Sequence, residues 1–307
     1  MPLHRTHQYP LVRLVTGMAA LLLLLPPERG VSADGDGDRL PDQAEILEAI
    51  AASPFGEPIH LTSVEREREV QGDIYAIVDA PLAELGAALE NVETWCETLI
   101  LHLNVKACVH YEADDGTRMT LYMGRKRYQD AEVAEQMHLD FHRDQPDKDR
   151  VIIRLRADRG PQGIREFRMD LQAVALDEHR SLLHLHYSIG YGALARMAMR
   201  IYLAFGARDH IGFTVEDHNT DGEPTHVGGI RGLIERNTVR FYFAFKAYLR
   251  EPDPDRLEAR LAHWFDLTER HPEQLREMDR DTYLAQKLRE YENQMALQAR
   301  GGEPAWP

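Results

Sequence analysis

The chain has 307 residues, with 51 Asp and Glu against 36 Lys and Arg, for a formal charge of −15. That balance excludes a nucleic-acid partner gripped through its phosphates and opposes attraction to anionic lipid headgroups. A hydrophobic fraction of 43% is ordinary for a globular protein, and the length suffices for one large domain.

Residues 1–33 have the layout of an export signal. Arg5 and Arg13 give a positive start, Leu14 to Leu25 is an apolar run, Pro26-Pro27 ends it, and Val31-Ser32-Ala33 is a small-residue cleavage site. The run is about 12 residues, short of the roughly 18–20 that span a bilayer. The expectation is an exported, periplasmic protein with a mature start near Asp34; a retained membrane anchor is the other reading. Without the three Arg and one Glu of this segment the formal charge moves from −15 to −17.

The next stretch, residues 34–69, reads as an acidic lead-in. Asp34, Asp36, Asp38, Asp42 and Glu45 stand at positions 1, 3, 5, 9 and 12 of a loop-like segment, the spacing that wraps Ca2+ in EF-hand-type loops. Arg39 stands at position 6, where such loops carry Gly for the sharp turn, and its charge opposes the ion. Calcium is therefore the one cofactor to consider, and the alternative is a solvated acidic tail.

From Val70 the pattern becomes regular. Val70, Ile74, Ala76 and Val78 share one parity, which predicts a half-buried strand. Leu82, Leu85, Leu89, Val92, Cys96 and Leu99 then follow helical spacing, with Pro81 at the helix start. Six strands are expected over 105–112, 117–126, 136–143, 150–157, 165–176 and 181–191, with turn signals such as Asp114-Asp115-Gly116 and Gly160-Pro161 between them. The two cysteines, Cys96 on the helix and Cys108 in the next strand, either pair in an oxidising compartment or remain buried thiols.

A second helix is predicted over 228–249. Ile230, Leu233, Ile234, Phe241, Ala244, Phe245 and Tyr248 form its apolar face, and Pro252 and Pro254 stop it. A helix this aromatic needs a large apolar partner, which the strands supply.

One strand over Asp73–Asp79, a helix entered through Ala80-Pro81-Leu82-Ala83-Glu84-Leu85 and leading to Val92-Glu93-Thr94-Trp95, six strands and a final helix: this order resembles the START/Bet v 1-like helix-grip (SRPBCC) superfamily over roughly residues 70–250. The resemblance implies an α+β fold, a curved antiparallel sheet of about seven strands around a long helix, and a hydrophobic cavity between them. Residues 192–227 depart from the superfamily's plain form, where a short loop suffices. Their apolar helix, with Met197, Met199, Ile201 and Phe205, is either a lid over the cavity or a seal on the sheet's end, with Arg196 and Arg200 on it as groups for a transient membrane contact.

Asn237 interrupts the apolar stripe of the final helix, flanked by Glu235, Arg236 and Arg240, and an inward amide there would orient a ligand's polar end. Ile234, Phe241, Phe245 and Trp95 join Asn237, Met197 and Phe205 as candidate ligand-binding residues. Arg231 and Glu235 read as a solvated helix pair. His138, Asp140 and His142 share one strand face, and His184 and His186 another; alternation turns them toward solvent, away from Leu139, Phe141, Leu183, Leu185 and Tyr187. No phosphate loop, nucleophile elbow or metal-binding helix motif occurs, so no catalytic residue is assigned. Residues 251–300 read as two amphipathic helices, packed outside or offered to a partner.

The functional expectation is an exported, non-catalytic binder of a hydrophobic small molecule or lipid. Two alternatives stay open: a cyclase or hydratase of the same superfamily, with His102 or Glu235 as acid or base, and an envelope structural or interaction protein whose cavity is filled.

Overall fold

The computed structural model describes residues 42–144, 149–193, 195–197, 199 and 210–301. Asp34, Asp36, Asp38, Phe205 and the export segment lie outside the described residues.

Alternating apolar residues build one antiparallel sheet from β1 (Ile59–Glu65), β2 (Glu69–Val78), β3 (Val105–Ala113), β4 (Gly116–Met123), β5 (Glu135–Arg143), β6 (Arg150–Arg159), β7 (Ile164–Ala175) and β8 (Ser181–Tyr191). The spatial order is β1-β2-β8-β7-β6-β5-β4-β3, so β1 and β3 are the edges. The sheet has one strand more than expected, because the charged stretch after Ile59 pairs with β2 along its whole length. A separate hairpin joins β9 (Val215–His218) to β10 (Pro224–His226).

Between β2 and β3 the chain forms α2 (Leu82–Leu89) and α3 (Val92–Leu99) rather than the single helix expected. The break falls at Asn91, whose backbone is extended and whose side chain accepts from the Glu93 N–H at 3.0 Å. Asn competes with the helix for its own backbone donors and so starts a helix better than it continues one. Then α4 (Gly229–Arg250) runs 22 residues and ends ahead of Pro252. This is the helix-grip α+β architecture, with α4 lying against the sheet. At Gly72 of β2 a Cβ would sit 2.5 Å from Thr238 Oγ1 on α4, so glycine permits the close approach of strand and helix.

The charged residues of α4 do not face solvent. Glu235, Arg236 and Arg240 are all buried, because the helix is enclosed on further sides by residues 210–214 and by α5 (Leu257–Thr268) and α6 (Pro272–Leu275). Arg236 donates to the carbonyls of His210 and Ile211, and Arg240 to the Leu275 carbonyl and Glu277. Glu235 is no partner in a solvated pair. It accepts from Ser63 Oγ at 2.5 Å, Thr214 Oγ1 at 2.6 Å and the N–H groups of Phe213 and Thr214 at 2.6 and 2.9 Å. Arg231 donates to Ser63 Oγ and reaches Glu235 only at 4.0 Å.

The last helix, α7 (Arg280–Gln298), lies along edge strand β3. Gln294 accepts from the Cys108 N–H at 2.8 Å, and Gln298 both accepts from the His110 N–H and donates to the His110 carbonyl, each at 2.9 Å. Backbone groups that an edge would leave to water thus find side-chain partners. A Cys96–Cys108 disulfide fastens α3 to the same strand. All described residues belong to one compact unit, α5–α7 included.

On the face of the sheet away from α4, His184 and His186 are drawn into a cluster rather than left free in solvent. Asp73 Oδ1 lies 2.9 Å from His184 Nε2 and 2.8 Å from His186 Nδ1, and the His184 ring stacks on Tyr75 at 4.3 Å. Burial alone would lower the His186 pKa, but the hydrogen bond and charge of Asp73 outweigh it and raise the value above 6.5. Burial would likewise raise Asp73, yet the bonds from His184 and His186 hold it well below the usual carboxylate range. A raised histidine stabilises fully below pH 6.5 and loses that contribution as pH rises through its folded value. A depressed carboxylate contributes above about pH 3.9 and loses it as pH falls. The Asp73 cluster therefore favours pH 5.5 over pH 8.5, and urea unfolding is expected to show Asp73→Asn losing more stability relative to wild type at pH 5.5 than at pH 8.5. An equal loss at the two pH values would mean that the cluster contributes nothing to the pH dependence.

Candidate functional site

The site is built along the sheet-facing row of α4: Ile230, Leu233, Asn237, Phe241, Phe245 and Tyr248, spaced to share one face. The row is filled at one end. Phe245 meets Trp95 edge-on, with centroids 4.9 Å apart at 80°, and Trp95 meets Phe141 at 6.3 Å. Trp95 is fully buried and its Nε1–H donates to the Leu89 carbonyl at 2.7 Å. The structure thus corrects two of the candidate ligand-binding residues: Trp95 and Phe245 are core, closed off by their own aromatic contacts. Ile234 is likewise buried, against β2 at Gly72.

The other end is different. Phe241 stacks on the His102 ring at 4.6 Å and meets Tyr187 edge-on at 5.4 Å, and Tyr187 in turn meets Phe167 at 5.6 Å. Asn237 and Leu233, one and two turns before Phe241, are only half-buried. The Asn237 carboxamide lies within interaction range of both the His102 ring and the Tyr187 hydroxyl. Two polar rings and an amide therefore meet beside a stretch of helix, Leu233 and Asn237, that is not fully buried.

His102 is held by the connection from α3 to β3, whose residues Ile100 to Leu103 are buried. A buried connection needs partners for its carbonyls. Tyr283 donates to the Leu101 carbonyl at 2.9 Å, Lys106 to that of Leu103 at 2.8 Å, and Lys287 to those of His102 and Val105 at 3.3 and 2.6 Å. Glu290 binds both lysines, at 2.8 and 2.7 Å, and all three groups have no exposure. Within this frame the Asn104 N–H donates to His102 Nδ1 at 3.2 Å, while the Asn104 amide donates to the Gly124 carbonyl.

That contact fixes the ring's chemistry. Nδ1 is the acceptor, so in the neutral ring Nε2 carries the hydrogen. Burial, then the charges of Arg240, Lys287 and Lys126, hold the His102 pKa well below 6.5 against the opposing effect of Asn237, and the ring is neutral at physiological pH. His102 is 2% exposed, and its Nε2 makes no hydrogen bond. Burial raises the Tyr187 pKa, so its hydroxyl stays protonated. The group is neutral, with Asn237 acting on His102 as an acceptor does and on Tyr187 as a donor does, and with the His102 Nδ1 lone pair taken by Asn104.

The remaining candidates fall elsewhere. Residues 193, 195–197 and 199 are helical, with Ala195 and Met199 packed on the core. Met197 is 63% exposed, because a residue midway between two inward positions four apart points the other way. Arg196 pairs with Glu65 at 3.4 Å. Asp42 caps α1 (Gln43–Ala51) by accepting from the Ala44 N–H at 2.9 Å, and Glu45 is exposed in its first turn. Among the described residues no group of three or more His, Cys, Asp or Glu is placed to hold a metal. Sequence reasoning left His102 without a direction, since a residue in an irregular connection has no periodicity to orient it. Tyr187 was on the apolar face by alternation and drew no attention as a polar group.

No family model and no curated protein matches the chain. Solved structures do. Zhui aromatase/cyclase from Streptomyces sp. R1128 aligns with TM-score 0.31 and 15% identity over 44% of this chain and 71% of that one. Norcoclaurine synthase from Thalictrum flavum, solved with dopamine and hydroxybenzaldehyde, aligns with TM-score 0.33 and 9% identity over 48% and 81%. A START superfamily protein from Mycobacterium smegmatis aligns with TM-score 0.29 and 12% identity over 40% and 77%. At these scores each is a likeness in outline, and the site has to be argued from its own residues.

Proposed function

We propose that this chain is an exported, periplasmic protein that binds a hydrophobic small molecule or lipid and releases it unchanged. The observation that supports the reading is the unequal packing along α4: sealed at Trp95 and Phe245, accessible at Leu233 and Asn237 within the frame of Phe241, Tyr187 and Phe167. Apolar area withdrawn from water there contributes about 25 cal/mol per Å2, and the polar rim gives orientation. The polar groups present favour binding over catalysis. A cyclase or hydratase needs a proton acceptor in the site, whereas the Nδ1 lone pair of His102 is engaged by Asn104, Tyr187 is held protonated, and Glu235 is enclosed by its own four donors.

A neutral apolar dye such as N-phenyl-1-naphthylamine tests this directly. It is expected to bind saturably, with native mass spectrometry of the gently purified chain showing a co-purifying apolar compound. A fluorescence response that never saturates, together with a bare protein mass, would sink the proposal. Asn237→Leu should cost about 1–3 kcal/mol, since His102 and Tyr187 lose the amide, and change which apolar compounds displace the dye. A stability loss with unchanged displacement would make the amide structural only.

A further inference from the structure

We propose that the end of α7, residues 291–298, gates thiol–disulfide exchange at Cys96–Cys108, so that the bond is made or broken only while this segment is away from β3. Exchange requires a thiolate to approach a sulfur directly, and it stops where neither sulfur can be reached. Cys96 is 3% and Cys108 1% exposed, and both belong to the main core. Some element must therefore move before an outside thiol or disulfide makes contact.

The hydrogen bonds show which element that is. α3 and β3 carry the sulfurs; β3 is paired with β4 along its length, and Trp95, beside Cys96, is fully buried. α7 is joined to both carriers at the bond itself. The Tyr291 hydroxyl donates to Glu97 Oε1 at 2.7 Å, next to Cys96, and Gln294 accepts from the N–H of Cys108 at 2.8 Å. Within α7 the hold is uneven. Residues 291–298 bury only Gln294, whereas the stretch before them buries Tyr283, Gln286, Lys287 and Glu290. The end of the helix can therefore lift without parting a strand pair and without exposing the two lysines. Segments with so little buried surface open at the low end of a protein's free-energy range.

A partner disulfide balances the covalent step. One cysteine thiolate attacks it, forming a mixed disulfide and releasing one partner thiolate. The other cysteine thiolate then attacks the mixed bond and releases the second. Two cysteine sulfurs are oxidised, the partner's two are reduced, and the cysteine protons pass to solvent or to the released thiolates. Reduction by a dithiol runs the same steps backward. The bond encloses residues 97–107, His102 and Lys106 among them, so the gate governs how firmly that connection is held.

The test uses the intact, oxidised chain, incubated with dithiothreitol and sampled by alkylation and mass spectrometry at several urea concentrations below the unfolding transition. Release of about two helical turns exposes little surface, so the reduction rate is expected to be nearly independent of urea until global unfolding takes over. Gln294→Ala removes the partner of the Cys108 N–H and should raise the low-urea rate on the order of tenfold. Asp73→Asn, in a strand remote from β3 in the sheet order, should leave that rate unchanged. A rate that climbs with urea as steeply as global unfolding from the start overturns the inference, because the sulfurs then appear only in the unfolded chain. Equal acceleration by Gln294→Ala and Asp73→Asn does the same. So does a native chain reduced as fast as the urea-unfolded one, whose sulfurs would need no gate. None of these outcomes bears on whether the chain binds an apolar ligand.

Discussion

Glu290→Ala should cost about 3–5 kcal/mol of unfolding free energy, the range for stripping the partner from a buried charge. Here one carboxylate serves two ammonium groups, Lys106 and Lys287, neither of which touches solvent. Their remaining partners are backbone carbonyls, those of His102 and Leu103 in the connection that carries His102 and those of Val105 and Arg127 beyond it, so the loss reaches the candidate site as well as the core. Burial, together with the like charge of Lys106, already lowers Lys287 to about 8 despite Glu290. A lysine depressed on folding binds fewer protons folded than unfolded, so stability rises with pH between the folded value and 10.5. Without Glu290 the folded value falls further, and that window extends downward. Urea unfolding at pH 6, 7.5 and 9 should show the variant recovering with pH more steeply than wild type. Parallel profiles would mean that the two lysines reach other partners or solvent.

Glu235→Ala should be comparably severe, again about 3–5 kcal/mol, but local in its first effect. The carboxylate gathers Ser63 from the edge strand and both Thr214 donors and the Phe213 N–H from the segment crossing beside α4. Removing it orphans four donors and frees that crossing. Amide exchange at Phe213 and Thr214 is expected to accelerate well before global unfolding, while β6 and β7 stay protected. Glu235→Gln should be intermediate, because its NH2 meets donors where an oxygen is needed. Uniform acceleration over the whole sheet would make Glu235 part of the global core instead of a clip.

The sequence makes the scaffold legible because the scaffold is periodic. Alternation in 181–191 separated Leu183, Leu185 and Tyr187 from His184 and His186, and the structure keeps those faces apart. Pro252 marked the end of the aromatic helix, which runs to Arg250. Misreadings fall where a residue's partner is remote. Glu235 resembled a solvated charge because nothing nearby shows that Ser63, 172 positions earlier, will donate to it. Trp95 and Phe245 read equally well as lining or core, since an aromatic stripe looks the same facing a cavity or another ring. His102 lies in a connection whose geometry is set by Tyr283 and Lys287, more than 180 positions later. Asn237 was found because a single amide in an apolar stripe is a local anomaly.

The cover on β3 has a consequence for how this chain reaches its native state. The strand's open side is satisfied by Gln294 and Gln298, 186 and 188 positions downstream. Contacts so distant in sequence form late, since the intervening chain must be ordered first. Delivered amino end first, the sheet exists for a time with an unprotected margin, open to pairing with another copy. The final helix then acts as a lock set last, and anything that delays it lengthens the interval in which two half-finished chains can join edge to edge.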